Sequence, residues 1–567
     1  MALVCRVVCR GFWSYAHGAT TVPLRNETVP SVLRRTTEKC PDKQVVVSCH
    51  QGIRKSYQHF LADCEKFASG LLTIGLKSGD RVGIWAPNLY EWMLTQFASA
   101  MAGMILVNIN PANQEQELKY CLRKVEIKAV VAPVHFKTQD YYQILHNVCP
   151  ELARAKPGSL KSYGAPDLKS VILIGDEKKC GAWTFEELMT AGDSGSDKQL
   201  KEIESKIQAD QPVNIQFTSG TTGSPKGAVL SHHNITNNAY FVGRRCRYHE
   251  IPPTICCPAP LYHCFGCVVG AMAAVVHGGS IVFPSASFNA EASLKAIHDE
   301  KCTHVYGTPT MFIDMLNRPT FHQYSYSSVT GGIMTGSPCP TEVCRQLIDK
   351  MNMRDFTIVY GTTENSPVTF QSLHSDPPEQ RIESVGYVQD HMEAKIVDNE
   401  GCIVQLGSTG ELWTRGYMVM LGYWNDQDKT AEVIRPDRWY KTGDLSVMDE
   451  KGRVQIVGRT KDMVIRGGEN VYPAEIEQML YTHPSIEDVQ VVGVPDDRLG
   501  EELCAWIRVK QNKTLSEQDV RQFCVGKLAH FKVPRYIVFK QQFPVTVTGK
   551  IQKFKIREIA IEELGLQ

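Results

Sequence analysis

The stretch Thr218-Ser219-Gly220-Thr221-Thr222-Gly223-Ser224-Pro225-Lys226-Gly227 constrains this chain more than any other. Ahead of it, Val213-Asn214-Ile215-Gln216-Phe217 alternates apolar and polar residues, the period of a half-buried strand. Behind it, Ala228-Val229-Leu230 reads as a return strand. Five hydroxyls and three glycines thus fall in one loop between two strands. Glycine lets backbone approach a ligand and aim several N–H groups at it. The hydroxyls add donors, and Lys226 adds a mobile point charge. Such a loop suits a polyphosphate. It is not a Walker A loop, which sets Gly-Lys-Ser/Thr ahead of a helix. Here Lys226 stands between Pro225 and Gly227, and a strand follows.

Around this loop the chain alternates strands and helices. Ser56 can cap a helix whose residues Phe60, Leu61, Cys64, Phe67, Ala68, Leu71 and Leu72 share one face. Strands at Arg81–Trp85, Ile105–Val107 and Ala129–Val131 are separated by helices near Tyr90–Ala102 and Glu115–Lys124, which predicts parallel βαβ units. Residues 150–210, with Pro150, Pro157 and Pro166, read as an irregular surface connection. The alternation resumes with Ser280–Phe283, Ala290–Asp299 and His304–Tyr306. From about Glu393 short strands with turns predict a small antiparallel barrel or sheet, formed by 394–397, 410–413 and 421–423. After a boundary at Gly458–Asp462 the last hundred residues form their own α+β unit, with Pro473 at the first turn of a helix. The expected fold class is therefore α/β: two doubly wound halves, a small β-barrel, and a small mobile C-terminal domain. A chain of 567 residues is too long for one core, in agreement with this division.

Composition excludes several classes. Lys and Arg total 61 against 61 Asp and Glu, so bulk charge points to no nucleic-acid partner. No apolar run, that containing Cys267 to Val276 included, is long enough to span a membrane as a helix. The 19 cysteines show no framework, which fits free thiols in a reducing compartment. Cys264 and Cys267 form a Cys-x-x-Cys, but no second pair stands at zinc spacing, and cysteine packs as a small hydrophobe. Residues 1–26 carry Arg6, Arg10 and Arg25 among Leu3, Val4, Val7, Val8, Phe12 and Trp13, with no acid before Glu27. That pattern predicts a mitochondrial transit segment, with a matrix location.

Further motifs follow in order: Leu261-Tyr262-His263-Cys264-Phe265-Gly266, Gly336-Ser337-Pro338, Tyr360-Gly361-Thr362-Thr363-Glu364, Tyr440-Lys441-Thr442-Gly443-Asp444, Arg459, Arg466-Gly467-Gly468-Glu469-Asn470 and Pro544 to Lys550. Glu364 offers a hard carboxylate of the kind Mg²⁺ takes together with phosphate oxygens. Asp444 could accept from both hydroxyls of a ribose. Together with the phosphate loop, these motifs resemble those of the adenylate-forming enzymes: acyl-CoA synthetases, luciferases and peptide-synthetase adenylation domains. The resemblance runs from about Glu38 to Lys555.

The resemblance implies roles. Residues Thr218 to Lys226 would hold the ATP triphosphate, Thr363 the α-phosphate, Glu364 the Mg²⁺, and Gly336-Ser337-Pro338 the adenine. Asp444 and Arg459 would bind the ribose side, and Tyr360, Gly361 and Thr362 belong to the same nucleotide site. Lys550 would catalyse adenylation. Lys461 would be the hinge, and Gly467 and Gly468 would enter the coenzyme A channel. His263 would stand beside the acyl group. No Asp near it is placed to hold a substrate amine, which favours a plain carboxylic acid. Expected domains are 27–458 for AMP binding, 459–462 for the hinge and 463–567 for the C-terminal unit. The implied enzyme is an AMP-forming acid–thiol ligase for a medium-chain fatty acid, using ATP, Mg²⁺ and CoA. An aryl or branched-acid ligase, an acyl-AMP ligase and a non-catalytic nucleotide binder stand as alternatives. The acyl chain is expected between Phe265–Gly266, Gly331–Gly332 and Tyr306–Gly307.

Overall fold

A computed structural model describes residues 12–218, 225–459, 462–546 and 550–566. The expected loop residues Ser219, Gly220, Thr221, Thr222, Gly223 and Ser224, the hinge residue Lys461, and residues 1–11 of the expected transit segment lie outside the described residues.

Two large sheets form the N-terminal part. One runs, edge to edge, through Ala182–Thr184, Ser170–Ile174, Ala129–Pro133, Arg81–Ile84, Ile105–Asn108, Pro212–Thr218, Lys226–Ser231 and Gly422–Tyr423. Its first six strands are parallel and its last two antiparallel. The other has nine strands, with a parallel centre from Asp355–Gly361 across to Gln44–Ser48. Strands such as Val130-Val131 are apolar on both faces because helices cover both faces of a parallel sheet. One continuous core joins the two sheets. It includes Leu106 and Leu230 from the first, Val46 and Ile333 from the second, and Phe60, Phe97 and Val268 from the helices between. Ser56 caps the helix Tyr57–Thr73 as expected, its hydroxyl accepting from His59 N–H.

Three expectations change. Residues 150–210 are not an irregular connection: they contribute two parallel strands and the helices Phe185–Ala191 and Ser194–Lys206. Pro150 opens the short 3-10 helix Pro150–Arg154, Pro157 and Pro166 stand in turns, and Ser170-Val-Ile-Leu-Ile174 is the short apolar run of a buried parallel strand. Leu421–Tyr423 does not join the small sheet. Gly422–Tyr423 instead extends the eight-stranded sheet by pairing with Val229 and Ala228. The small sheet consists of Tyr15–His17, Met392–Val397, Gly410–Gly416, Tyr440–Met448 and Val454–Arg459.

Tyr15–His17 carries the third change, since the chain is part of the fold well before residue 27. Tyr15, Ala16 and His17 pair with Lys395, Ala394 and Glu393. The Tyr15 hydroxyl donates to Glu393 at 2.6 Å, and Ser14 bonds Val404 and Gln405. Arg25 exchanges backbone bonds with the Asn237 side chain and lies 4.6 Å over the Tyr240 ring.

Val454–Arg459 is the last strand of the small sheet, and the C-terminal sheet begins at Val464. That sheet packs helices Pro473–Tyr481 and Glu517–Cys524 over Val489, Val491, Leu503 and Ile507.

Candidate active site

The phosphate loop bridges an antiparallel strand pair in which Thr218 faces Lys226 across the register. The Pro225 carbonyl accepts from the Tyr120 hydroxyl at 2.8 Å, which fixes the return side of the loop. The Lys226 ammonium lies 5.1 Å over the Tyr423 ring. The Tyr423 hydroxyl donates 2.9 Å to Glu364 Oε1. One aromatic residue therefore ties the loop lysine to the candidate metal carboxylate, and cation–π attraction of about 0.5–2 kcal/mol holds the lysine there. Glu364 is buried, on a short helical turn, Thr363–Asn365, that follows the strand Asp355–Gly361. Its carbonyl accepts from Met420 N–H, so the 420–423 segment bonds Glu364 twice. At Gly361 a Cβ would lie 1.7 Å from the Pro367 carbonyl oxygen, so only glycine permits this turn.

Asp444 is buried between two partners. The Tyr360 hydroxyl donates to Oδ2, and Arg459 Nε donates to Oδ1 at 3.0 Å. Asp444 and Arg459 are register partners on adjacent strands, which explains their fixed approach. Thr362 Oγ1 donates to the Tyr440 oxygen at 3.4 Å. The Thr363 hydroxyl partners the Cys264 thiol.

Lys550 arrives from the C-terminal unit. Its Nζ stands 3.4 Å from His263 Nε2. Its Cε lies where a Cβ on Gly336 would be only 3.6 Å away, and Gly336 has φ +98°, a value side-chain-bearing residues avoid. The turn carrying it is closed by Thr546 N–H to the Lys550 carbonyl at 2.7 Å and by Lys550 N–H to Thr546 Oγ1 at 3.0 Å. Gln478 holds the two units together: its Nε2 donates to the Cys339 carbonyl at 3.0 Å, and its Oε1 accepts from Thr341 N–H at 3.3 Å. Ser337 and Pro338 border the same junction, in a small cleft with Glu477 and Ile551.

Burial, helped by Arg459, pushes the Lys550 ammonium below the ordinary lysine range. Cys264, Glu364 and Asp444 act in the opposite direction, so Lys550 lies within reach of both halves of the candidate nucleotide site. Burial, with Lys550 adding to it, pushes His263 down to about 3, so its ring is neutral. His263 Nδ1 accepts from Phe265 N–H at 3.3 Å. We assign the ring hydrogen to Nε2 from this bond. With that tautomer the charged Lys550 Nζ and His263 Nε2–H, 3.4 Å apart, do not bond each other, and an anionic oxygen accepting from both would relieve the opposed donors.

Two expected elements stand apart from this cluster. Gly467 and Gly468 form the exposed turn of the hairpin Val464–Arg466 and Glu469–Val471, with φ of 58° and 89°. Nothing lies within 4 Å of a Cβ placed on Gly468. Gly332 does not face the expected acyl space. A Cβ there would strike Met353 Cε and the Val305 carbonyl, each at 2.2 Å. Met353 belongs to the outer core of Phe356 and Leu347, while the next residue, Ile333, joins the core containing Phe265 and Tyr306. A one-residue step reverses the face of a strand. Phe265 and Tyr306 do meet, stacked at 5.7 Å and 10°. Tyr423 and Gln478 were not anticipated as site residues. Their partners are 59 and 139 residues away in sequence, and no local pattern marks such pairs.

The doubly wound halves, small sheet and C-terminal unit, with a candidate nucleotide site at their junction, have the architecture of an adenylate-forming enzyme. The chain belongs to the AMP-binding enzyme family: residues 33–424 match the AMP-binding enzyme domain, and 475–550 its C-terminal domain. Within that family the chain is 52% identical to the mitochondrial medium-chain acyl-CoA ligase ACSF2 of Danio rerio, over 98% of this chain and 91% of the relative. The human protein of that name is 48% identical over the same shares. Among solved structures, ATP-bound MatB from Rhodopseudomonas palustris superposes with TM-score 0.77 at 26% identity, covering 94% of this chain and 99% of that one. The anthranilate CoA ligase AuaEII in complex with anthranoyl-AMP shares the fold, with TM-score 0.83 at 24% identity over 96% and 99% of the two chains.

Proposed function

We propose that the protein is an ATP-dependent acyl-CoA ligase that converts a medium-chain fatty acid, through an acyl-adenylate, into acyl-CoA, AMP and pyrophosphate. The observation that carries this proposal is the approach of half-buried Lys550 to half-buried His263, within electrostatic reach of Glu364, Asp444 and Arg459. In the first step a carboxylate oxygen attacks the α-phosphorus of ATP, and the bond to pyrophosphate breaks. Charge grows on the phosphate oxygens, and donors already aimed at that charge lower the barrier most. Lys226 would hold the leaving phosphates, while Lys550 and His263 Nε2–H would grip the reacting oxygens. Thr363 would bind the α-phosphate, and Asp444 with Arg459 would orient the ribose.

Mg²⁺ fits this donor set. Glu364 is a single buried carboxylate whose Oε1 is taken by Tyr423, and among the described residues no group of three or more ligating side chains forms a closed cage. Mg²⁺ commonly takes one or two carboxylates with substrate phosphates. When bound with ATP, it would neutralise phosphate charge.

In the second step the coenzyme A thiol attacks the acyl carbonyl and AMP departs. Lys550 would leave and the Gly467–Gly468 turn would enter, by rotation of the C-terminal unit about Lys461. The relatives' mitochondrial names support a mitochondrial site of action, with the matrix as our proposal. Any cleaved targeting segment would end before Ser14, since residues 14–25 make the contacts described above.

A panel of linear acids of rising length, with aryl and branched acids beside them, tests the proposal by AMP release with ATP and CoA. Turnover should peak with medium-length linear acids. A flat profile, or no acid-dependent ATP–pyrophosphate exchange, would overturn it.

A further inference from the structure

A chain of buried polar side chains runs beneath His263. Asn214 and Gln216 lie two residues apart on Pro212–Thr218 and so share one face; Asn108 ends the neighbouring strand. All three are at most 5% exposed, and Cys264 is fully buried. Asn108 Nδ2 donates to the Tyr262 carbonyl at 3.1 Å. Asn214 Nδ2 donates to Asn108 Oδ1 at 2.9 Å. Gln216 Nε2 donates to Asn214 Oδ1 at 2.8 Å. The Cys264 thiol donates to Gln216 Oε1 at 2.9 Å. The remaining amide hydrogens reach the Leu106 carbonyl and the Cys267 sulfur.

The direction of this chain is determined from one end. A carbonyl can only accept, so Asn108 must turn its amide nitrogen to Tyr262. Its oxygen then faces Asn214, which must answer with nitrogen. The same constraint passes to Gln216, whose oxygen is left for a donor, and the Cys264 thiol supplies it. A buried amide left without its partner is costly, so the links support one another.

The two ends of the chain are Tyr262 and Cys264, the residues on either side of His263. We infer that Asn108, Asn214, Gln216 and Cys264 are positioning residues. They clamp the backbone on both sides of His263 to the strand that enters the phosphate loop two residues after Gln216. Aligning Nε2–H with Lys550 and the reacting oxygen would then depend on the same strand that places the ATP phosphates. This inference rests on the proposed acyl-adenylate reaction. Acid-dependent exchange by the unaltered enzyme tests that premise separately.

The test is ATP–pyrophosphate exchange by the full-length enzyme, with KM for ATP and acid, and thermal unfolding measured alongside. Cys264→Ala releases both Gln216 Oε1 and the Thr363 hydroxyl and should lower the exchange kcat about five- to tenfold or more; Asn108→Ala, which touches no phosphate-site residue, should lower it about five- to tenfold and leave the KM for ATP unchanged. Cys264→Ser, which keeps a donor, should recover most of the loss. In a His263→Ala background, Asn108→Ala should add almost nothing, because the group being positioned is gone. Should Asn108→Ala fail to fold, Cys264→Ala breaks the other end and carries the same cycle. Equal losses in both backgrounds, no loss of kcat, or a serine variant as impaired as the alanine one would each overturn the inference.

Discussion

Two turns of the C-terminal unit differ sharply. Lys550 reaches into the N-terminal part: the half-buried residue stands beside His263 and Gly336, and Gln478 fastens the junction. The Gly467–Gly468 turn is exposed and touches little beyond the Leu499 carbonyl. One rigid unit thus carries a committed surface and an idle one. Under the proposed function this arrangement would serve adenylation, and a second arrangement would be needed to employ the glycines.

The comparison breaks most decisively at Lys550. Lys550→Ala should cut ATP–pyrophosphate exchange by about 10²–10³-fold, the range for removing a donor aimed at transition-state charge. Thioester formation from supplied acyl-AMP should stay within a few-fold. Equal loss in both half-reactions would dissolve the distinction between the turns. The same residue sets a pH expectation. Burial lowers the Lys550 pKa, so its charge is lost at a lower pH than for a free lysine, and exchange should fall on the alkaline side. Lys550→Arg should move that fall to higher pH, because arginine stays charged above about pH 12.

Gly468→Val is the converse. Its φ of 89° strains any β-branched residue, and its side chain would obstruct a narrow channel. CoA-ester formation should drop by about tenfold or more while exchange persists, in keeping with local strain of about 1–3 kcal/mol. Loss of exchange would mean that the exposed turn serves adenylation after all. The smallest effect should come from Gln478→Ala. Losing the two bonds of the clasp should weaken the adenylating arrangement by about 1 kcal/mol, a few-fold change in the ratio of the two half-reaction rates. An unchanged ratio would show that the junction is held elsewhere.

Much of the site was legible because its residues come in short runs with chemical content: hydroxyls and glycines with Lys226, Glu364 beyond a strand end, Asp444 and Arg459 fifteen residues apart. Adjacent antiparallel strands then made register partners of the last pair. What escaped was set by tertiary neighbours. Tyr423 looked like part of the small sheet, yet two residues of edge pairing carry it to Lys226 and Glu364. The strand Ser170–Ile174 was hidden among prolines, although its unbroken apolar run is what a parallel strand buried on both faces requires. Gly332 was assigned to the acyl space as part of a small, uncharged pair, and the period of two placed it on the opposite face.

The strand Tyr15–His17 has a temporal consequence. It emerges among the first residues of the chain, yet the Glu393 carboxylate that its tyrosine bonds is 378 residues away in sequence. At roughly 5–20 residues per second, synthesis takes about 20–75 s to deliver that partner. Over this interval Trp13 and Tyr15 wait without a sheet, so the start of the chain is among the last pieces to be docked. Assembly of the small sheet therefore closes a loop around nearly the whole N-terminal body, and a chaperone that shields those aromatics early would guard a contact 378 residues apart in sequence.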